Sequence, residues 1–352
     1  MKFHIEYPRI LPERRPEGHE PGAPRYTLRW RKPVNRIISA YYGIQGSPLS
    51  ENEQKSFFDR FARFFESNCG PETYETMRCI DEEGYTNAII VAYWTDQNQY
   101  TEWEQCSDFA DWWESTERLQ ESFGYWREII AIHYDRHETI YSASDYRIGL
   151  ALCSDSELVP MNTNGYFGAA RDRLPISSVD SLPGFMSVIE HPSGRIDTHN
   201  RRLFAETPHN MTAIRSGQYW AEADSAQSED YQLSMQPKLM DGMRYLLENR
   251  KETGTLSLRI MTNLDRHGRE RDETSVYACF VDMAGMEEWA SSHTSHLRIY
   301  NHAIEKKRQY GENRSVVTWH EVFILTSGLP FEYINCHPGT GLLPFCTLYE
   351  RL

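Results

Sequence analysis

Residues 87–115 read NAIIVAYWTDQNQYTEWEQCSDFADWWES, and residues 275–306 read SVYACFVDMAGMEEWASSHTSHLRIYNHAIEK. Each opens on an apolar, aromatic and β-branched run, 87–95 and 275–282, of the kind that makes a buried strand. Each continues into a helical pattern: 99–115 with Trp103, Phe109, Trp112 and Trp113, then 285–306 with Met286, Trp289, His293, Leu297 and Tyr300. Asp96 stands seven residues before Trp103 and Asp282 seven before Trp289, so both pairs repeat at an offset of 186. Further on, Trp126-Arg127-Glu128 is matched by Trp319-His320-Glu321 at 193, and Glu138 by Glu332 at 194. Four matches in one order, on the same element types, point to a duplicated unit.

Working outward, a strand over 36–44, a helix over 50–67 carrying Phe57, Phe58, Phe61, Phe64 and Phe65, and strands over 124–133 and 138–142 complete the first copy. A strand over 209–217, a helix over 231–249 and strands over 315–325 and 331–335 complete the second. This order is that of the split ferredoxin-like module. The expected fold class is α+β: duplicated ferredoxin-like modules forming a dimeric-α/β-barrel-type body, with antiparallel sheets, outer helices and a pocket between them. The expected division is an extended N-terminal arm over 1–35, punctuated by proline and without strand or helix period. A first repeat follows over 36–150, then a linker or insertion over 151–208 that contributes to the active site. The second repeat spans 209–352 and ends in a loop-like tail.

The chain has 352 residues, with 37 Lys and Arg against 51 Asp and Glu, a net charge of −14. That balance argues against a nucleic-acid binder, which needs a basic face, and against an anionic membrane surface. No apolar run approaches a membrane span, and no secretory leader pattern opens the chain. Seven cysteines without a C-x-x-C argue against a disulfide scaffold or a structural zinc site, and for a reducing, cytoplasmic setting.

His293 and His296 fall in one predicted helix as H-T-S-H, on or near its buried face. Such a pair can bind a metal together, or supply one axial ligand beside a bystander, or be buried and satisfied by hydrogen bonds. His320 lies in mid-strand, on the face of Val316, Thr318, Val322 and Ile324. It is either a satisfied core histidine or a pocket acid/base, with Glu138 as the carboxylate that would keep it protonatable. Arg171-Asp172-Arg173 reads as a surface salt-bridge cluster unless the fold turns it inward. Ser216, before a glycine, reads as turn chemistry. No Walker A, dinucleotide fingerprint, nucleophile elbow or H-E-x-x-H is present.

Eight stretches together resemble the haem-containing aldoxime (phenylacetaldoxime) dehydratases: AYWTD, DWWES, GYWREI, RDRLPIS, AIRSGQ-x-W, WASSH-x-x-HLRIY, WHEV and FEYINCHP-x-TG. They run in family order from about 38 to 341. The family's common H-P-T-H reads H-T-S-H here. The resemblance implies a haem b, ferrous in the active form, and conversion of R–CH=N–OH to R–C≡N plus water. It implies His296 as axial iron ligand and His320 as distal acid/base. It also implies Ser216 and Arg173 on the substrate hydroxyl, Glu138 behind His320, and a homodimer. Three rivals stand beside it: a peroxidase-like enzyme of the same barrel class, a haem-based sensor or carrier, and a metal-free barrel that binds an apolar ligand.

Overall fold

Residues 7–350, except 191, 193 and 195, are described by a computed structural model; the first six residues of the expected arm and the last two of the tail lie outside them. The arm is not wholly extended coil. Its end forms β1 (Arg25–Trp30), where Tyr26, Leu28 and Trp30 alternate onto a core face. β2 (Arg36–Gly46) follows, then α1 (Glu51–Phe65), opened by a Ser50–Glu53 capping box and burying Phe57, Phe61 and Phe65 at four-residue spacing. A hairpin of β3 (Thr73–Ile80) and β4 (Thr86–Trp94) comes next. The helix expected over 99–115 is two, α2 (Gln97–Glu104) and α3 (Ser107–Glu114), because the backbone of Cys106 is extended. The break lets Trp103, Phe109 and Trp113 all turn into one aromatic core with Tyr42, Phe61 and Trp94. β5 (Gly124–His133) and β6 (His137–Tyr141) close this half.

The expected linker carries β7 (Ser156–Met161), α4 (Ala169–Arg173), α5 (Ser187–Glu190) and β8 (Arg202–Glu206). The second half begins with β9 (Thr212–Tyr219) and α6 (Ser225–Asp230). A π-helical turn over Tyr231–Met235 then leads into α7 (Gln236–Glu248), where one helix was expected. Pro237, lacking an N–H, cannot close the regular α pattern there. α8 (Arg250–Thr253) leads to the hairpin of β10 (Thr255–Leu264) and β11 (Glu270–Phe280). The helix expected over 285–306 is also two, α9 (Met283–Ser292) and α10 (Thr294–Tyr310). β12 (Val317–Ile324) and β13 (Pro330–Ile334) follow, and the tail, expected as loop, ends in β14 (Leu348–Glu350). Asp96 and Asp282 are both helix N-caps, and Trp103 and Trp289 are both buried, which is why that spacing recurs.

The strands form one antiparallel sheet in the order β14-β8-β13-β5-β2-β4-β3-β10-β11-β9-β12-β6-β1-β7. In each half the first strand lies between the last and the third: β5-β2-β4-β3 and β12-β9-β11-β10. The strand that follows each half then pairs with the other half's neighbourhood: β6 adds to β12, and β13 to β5. Register corrects one match. Tyr141 faces Trp319 and Tyr333 faces Trp126, so Glu138 (opposite Val322) and Glu332 (opposite Arg127) are two residues out of correspondence.

The sheet curls back on itself. Tyr41 of β2 stacks on Tyr277 of β11 with ring centroids 4.1 Å apart, although four strand spacings separate them, about 19 Å in a flat sheet. Inside the curl Arg215 meets Glu75 at 2.5 Å, Arg259 grips Glu128 through two bonds of 2.9 and 2.7 Å, and Tyr93 donates to Glu321 at 2.9 Å. Pairing of this kind is what makes buried charge tolerable. Helices cover the outer face. Two glycines admit tryptophans to the interior: a Cβ at Gly43 would lie 2.1 Å from the Trp126 ring, and one at Gly217 2.5 Å from the Trp319 ring. Gly217→Ala should therefore destabilise the fold by about 1–3 kcal/mol through overpacking, read as a shifted urea midpoint. An unchanged midpoint would mean that the indole moves freely.

Candidate active site

Alternation along β12 decides which residues can reach a ligand. Trp319 and Phe323 join the curled interior, while Val322 and Ile324 pack with Leu239, Met243, Met286 and Trp289 of the helices. His320 shares the helix-facing side with Val322 and Ile324. Directly across the β9–β12 ladder its partner is Ser216, which places the two side chains on the same face as neighbours. Glu138 reaches in from β6: its Oε1 lies 2.8 Å from Nε2 of His320. Arg173, the last residue of α4, donates from Nε to Glu138 Oε2 at 2.5 Å and from Nη1 to the Thr163 carbonyl at 2.9 Å. Its Nη2 is 3.1 Å from the same Nε2 of His320.

The R-D-R stretch is thus turned inward. Arg171 is also buried, on Glu287 and the Ser181 carbonyl, while Asp172 accepts the Arg14 backbone N–H and the Tyr166 hydroxyl. Ser216 touches none of the three others through its hydroxyl; among the described residues that hydroxyl makes no hydrogen bond and is free for a ligand.

Nε2 of His320 stands between an acceptor and a donor. When it carries a proton it donates to Glu138, and when it does not it accepts from Arg173. Either state therefore has a partner, and Nδ1 has none among the described residues. Burial alone would raise the Glu138 carboxyl, but the Arg173 guanidinium and then His320 outweigh it and hold it at about 2. Because that lies below the unfolded value, ionised Glu138 stabilises the fold at every pH above about 4.5, and the contribution is lost as pH falls through about 2.

His296 sits one turn before Ile299 on α10, and Ile299 packs against the cluster that contains Val322 and Ile324 of β12. Its Nδ1–H donates to the Ala290 carbonyl at 2.6 Å, which fixes the tautomer; Nε2 has no hydrogen bond among the described residues. Burial lowers its pKa, partly offset by that carbonyl, so the neutral imidazole needed for a metal is favoured. His293 is not its partner on a helix face. Its backbone is extended (φ −83°, ψ 134°), and it caps α10 by accepting the Ser295 N–H on Nδ1. The Trp289 indole Nε1–H donates to Ser295 Oγ (3.0 Å), and that hydroxyl donates to His293 Nδ1 (2.8 Å). This chain holds the Trp289 ring 4.8 Å from His296. The Ala290 and Thr163 carbonyls were invisible to sequence reasoning, since any residue type supplies one; the serines and threonine flanking His293 were the signal for the helix break.

The corresponding place in the first half is full. There Arg127 and Tyr42 are the cross-strand pair, Arg127 is tied to Glu332 and Glu104, and the Tyr42 ring lies 4.9–6.0 Å from Phe61, Trp103, Phe109 and Trp113. In the second half Ile214, Ser216, Thr318, His320 and His296 all stay partly uncovered. A single imidazole with Nε2 free, beside an apolar layer, suits a metal that brings its other ligands in a macrocycle; a bare ion takes three or more protein donors. The residues present therefore fit a haem. A cavity of about 260 Å³ lined by Gln45, Asp81, Arg250, Ser257 and His337 lies elsewhere in the molecule.

Comparison with known proteins agrees in extent as well as kind. The chain is 31% identical to the aliphatic aldoxime dehydratase of Pseudomonas chlororaphis, over 97% of this chain and 96% of that one. It is 29% identical to the phenylacetaldoxime dehydratase of Bacillus sp. (strain OxB-1), over 95% of each. A crystal structure of an aldoxime dehydratase superposes with a TM-score of 0.85 at 29% identity, covering 99% of this chain and 98% of that one. A second, co-crystallised with butyraldoxime, gives 0.85 at 28% identity over 97% and 94%. The family model for haem-containing dehydratases spans residues 40–342, from within β2 to beyond β13, and the chain belongs to that family.

Proposed function

We propose that the protein dehydrates aldoximes to nitriles at a haem held by His296, with His320 as the acid/base. The observation that carries this reading is the convergence of His320, Glu138 and Arg173 beside Ser216, on the sheet face that α10 covers. A ferrous haem held by His296 would supply a metal that takes the oxime nitrogen and electron density that weakens the N–O bond.

The chain's own groups supply the rest. Hydroxide is a poor leaving group, so the oxime oxygen must be protonated as it departs. With Nε2–H held by Glu138, protonated His320 gives up the Nδ1 proton and keeps an orienting bond throughout. The resulting lone pair can take the aldehydic C–H proton, so R–CH=N–OH becomes R–C≡N and water with no net proton consumed. Ser216 orients the oxime hydroxyl next to His320, and Arg173 fixes Glu138 while its charge steadies the departing oxygen. The apolar side chains between this sheet face and the helices over it would hold the R group and exclude water.

A peroxidase-like reaction would also use a distal histidine and arginine, but it gives no role to a free serine hydroxyl in the cross-strand position. Ser216→Ala should lower kcat/KM for an aldoxime by about tenfold or more while leaving the Soret spectrum unchanged, the loss of one positioned hydrogen bond. Ser216 is no turn residue, as its place before a glycine suggested, but lies inside β9, and an unaltered rate with nitrile formed normally would leave it an ordinary strand residue.

Several broader features are part of the same reading. The matching strand orders of the two halves support a duplicated ferredoxin-like unit, 36–150 and 209–352, curled into a dimeric-α/β-barrel-type body with the 151–208 insertion donating Arg173. Among the described residues no helix is long and apolar enough to cross a membrane. The seven cysteines stand as free thiols, which supports a cytoplasmic setting. A homodimer is the assembly the family resemblance favours.

A further inference from the structure

Two partly buried arginines near this site lack the carboxylate partner that Arg173 has within it. Arg173, Arg215 and Arg259 each hold a carboxylate. Among the described residues Arg25 and Arg314 hold none: Arg25 Nη1 donates to the Pro24 carbonyl at 2.8 Å, and Arg314 Nη1 to the Ala303 carbonyl of α10 at 3.0 Å. Both are partly buried. Asp230, whose field reaches Arg314, is already bonded to Lys306 and His302, at 2.8 and 3.0 Å.

Register puts Arg25 on the side that matters. Tyr26 faces Tyr141, which faces Trp319, and all three side chains join the curled interior. Arg25, one residue earlier, therefore projects to the opposite side, that of Thr318 and His320, two strand spacings or about 10 Å from β12. Arg314 comes to the same layer from the other direction, anchored on α10 two turns after His296. The two lie near enough to repel. Burial and then Arg25 push the Arg314 guanidinium down to about 10, and burial lowers Arg25 against the pull of Tyr300, one turn after His296. Two partly buried cations held close without an anion are an unfinished site, and a planar guanidinium fork matches a carboxylate.

We propose that Arg25 and Arg314 form a carboxylate-binding pair at the edge of this sheet face, and that the carboxylates they take are the haem propionates. This rests on the reading that His296 holds the iron from α10. A carboxylate at the far end of an aldoxime's R group has the same chemistry and is the competing source.

Haem release from the full-length holoprotein to excess apomyoglobin tests it, with Arg25→Gln, Arg314→Gln and, as a control, Arg298→Gln, an exposed arginine of α10 paired with Asp241. Each of the first two variants should release haem about tenfold faster, and the control at the parent rate. The same proteins reconstituted with haem dimethyl ester should all release at one rate, because the esters leave nothing for a guanidinium to hold. Unchanged release of free haem would overturn the proposal, as would an equal acceleration with the ester, which would mark general loosening. Unchanged release together with a raised KM for a carboxylate-ended aldoxime, but not for a neutral one, would give the pair to the substrate and overturn the propionate assignment. If the parent itself shows no imidazole-ligated haem spectrum, the failure belongs to His296 and not to the arginines.

Discussion

His296→Ala should purify with little or no haem even when haem is supplied during expression. Losing an outer partner of a metal ligand costs roughly 10–100-fold in affinity, and losing the ligand itself should cost more. His293 is no ready substitute: it is turned away as a helix cap, with its Nδ1 taken by Ser295. Far-UV circular dichroism should remain that of the parent, because the side chain contributes one backbone hydrogen bond, to Ala290. Added imidazole should restore the Soret band by filling the vacated position. Full haem content without imidazole would remove His296 as the ligand.

The second large effect is expected at the acid/base. His320→Ala should keep its haem and still bind aldoxime, yet turn over about 10²- to 10⁴-fold more slowly, the range that a positioned proton donor supplies. Glu138→Gln should lie between this variant and the parent. It leaves His320 in place but gives Nε2 a neutral partner, and it strands the Arg173 guanidinium in a buried pocket. Because Glu138 is held at about 2, its own titration cannot produce an acid limb in the rate profile between pH 4 and 8. An acid limb that disappears in Glu138→Gln but persists in Ser216→Ala would contradict that. Parental turnover by His320→Ala would take the histidine out of the chemistry.

Much of this arrangement was readable before any coordinates. The Asp-to-Trp spacing at 96–103 and 282–289 is legible because it encodes two physical acts, capping a helix and burying an indole one face further on. His320 was legible because a polar residue on an apolar strand face must be either satisfied or used. Other features left no such mark. Cys106 and His293 break their helices through one extended residue each, and the surrounding apolar spacing runs on as though nothing had happened. β3 shows little alternation in TYETMRCI, and half its side chains stay partly exposed, so it reads as loop until β10 is laid beside it. The match of Glu138 with Glu332 was two residues off because a carboxylate is common enough to align by chance. The true counterparts, set by Tyr141 and Tyr333 opposite their tryptophans, emerge only from register. Arg173 is the harder case. Sequence alone favoured a surface cluster for R-D-R, and only the return of the 151–208 insertion onto β6 makes it a buried partner of Glu138.

The central claim is that the second half of the chain holds a ferrous haem on which aldoximes lose water. It is tested most directly in one anaerobic cuvette. The haem-loaded protein is reduced with dithionite, an aldoxime is added, and the Soret band and nitrile are followed together. The account predicts a Soret shift on mixing and stoichiometric conversion to nitrile by the reduced protein, with the oxidised protein inactive. A Soret shift with no nitrile from either aliphatic or arylalkyl aldoximes would contradict it.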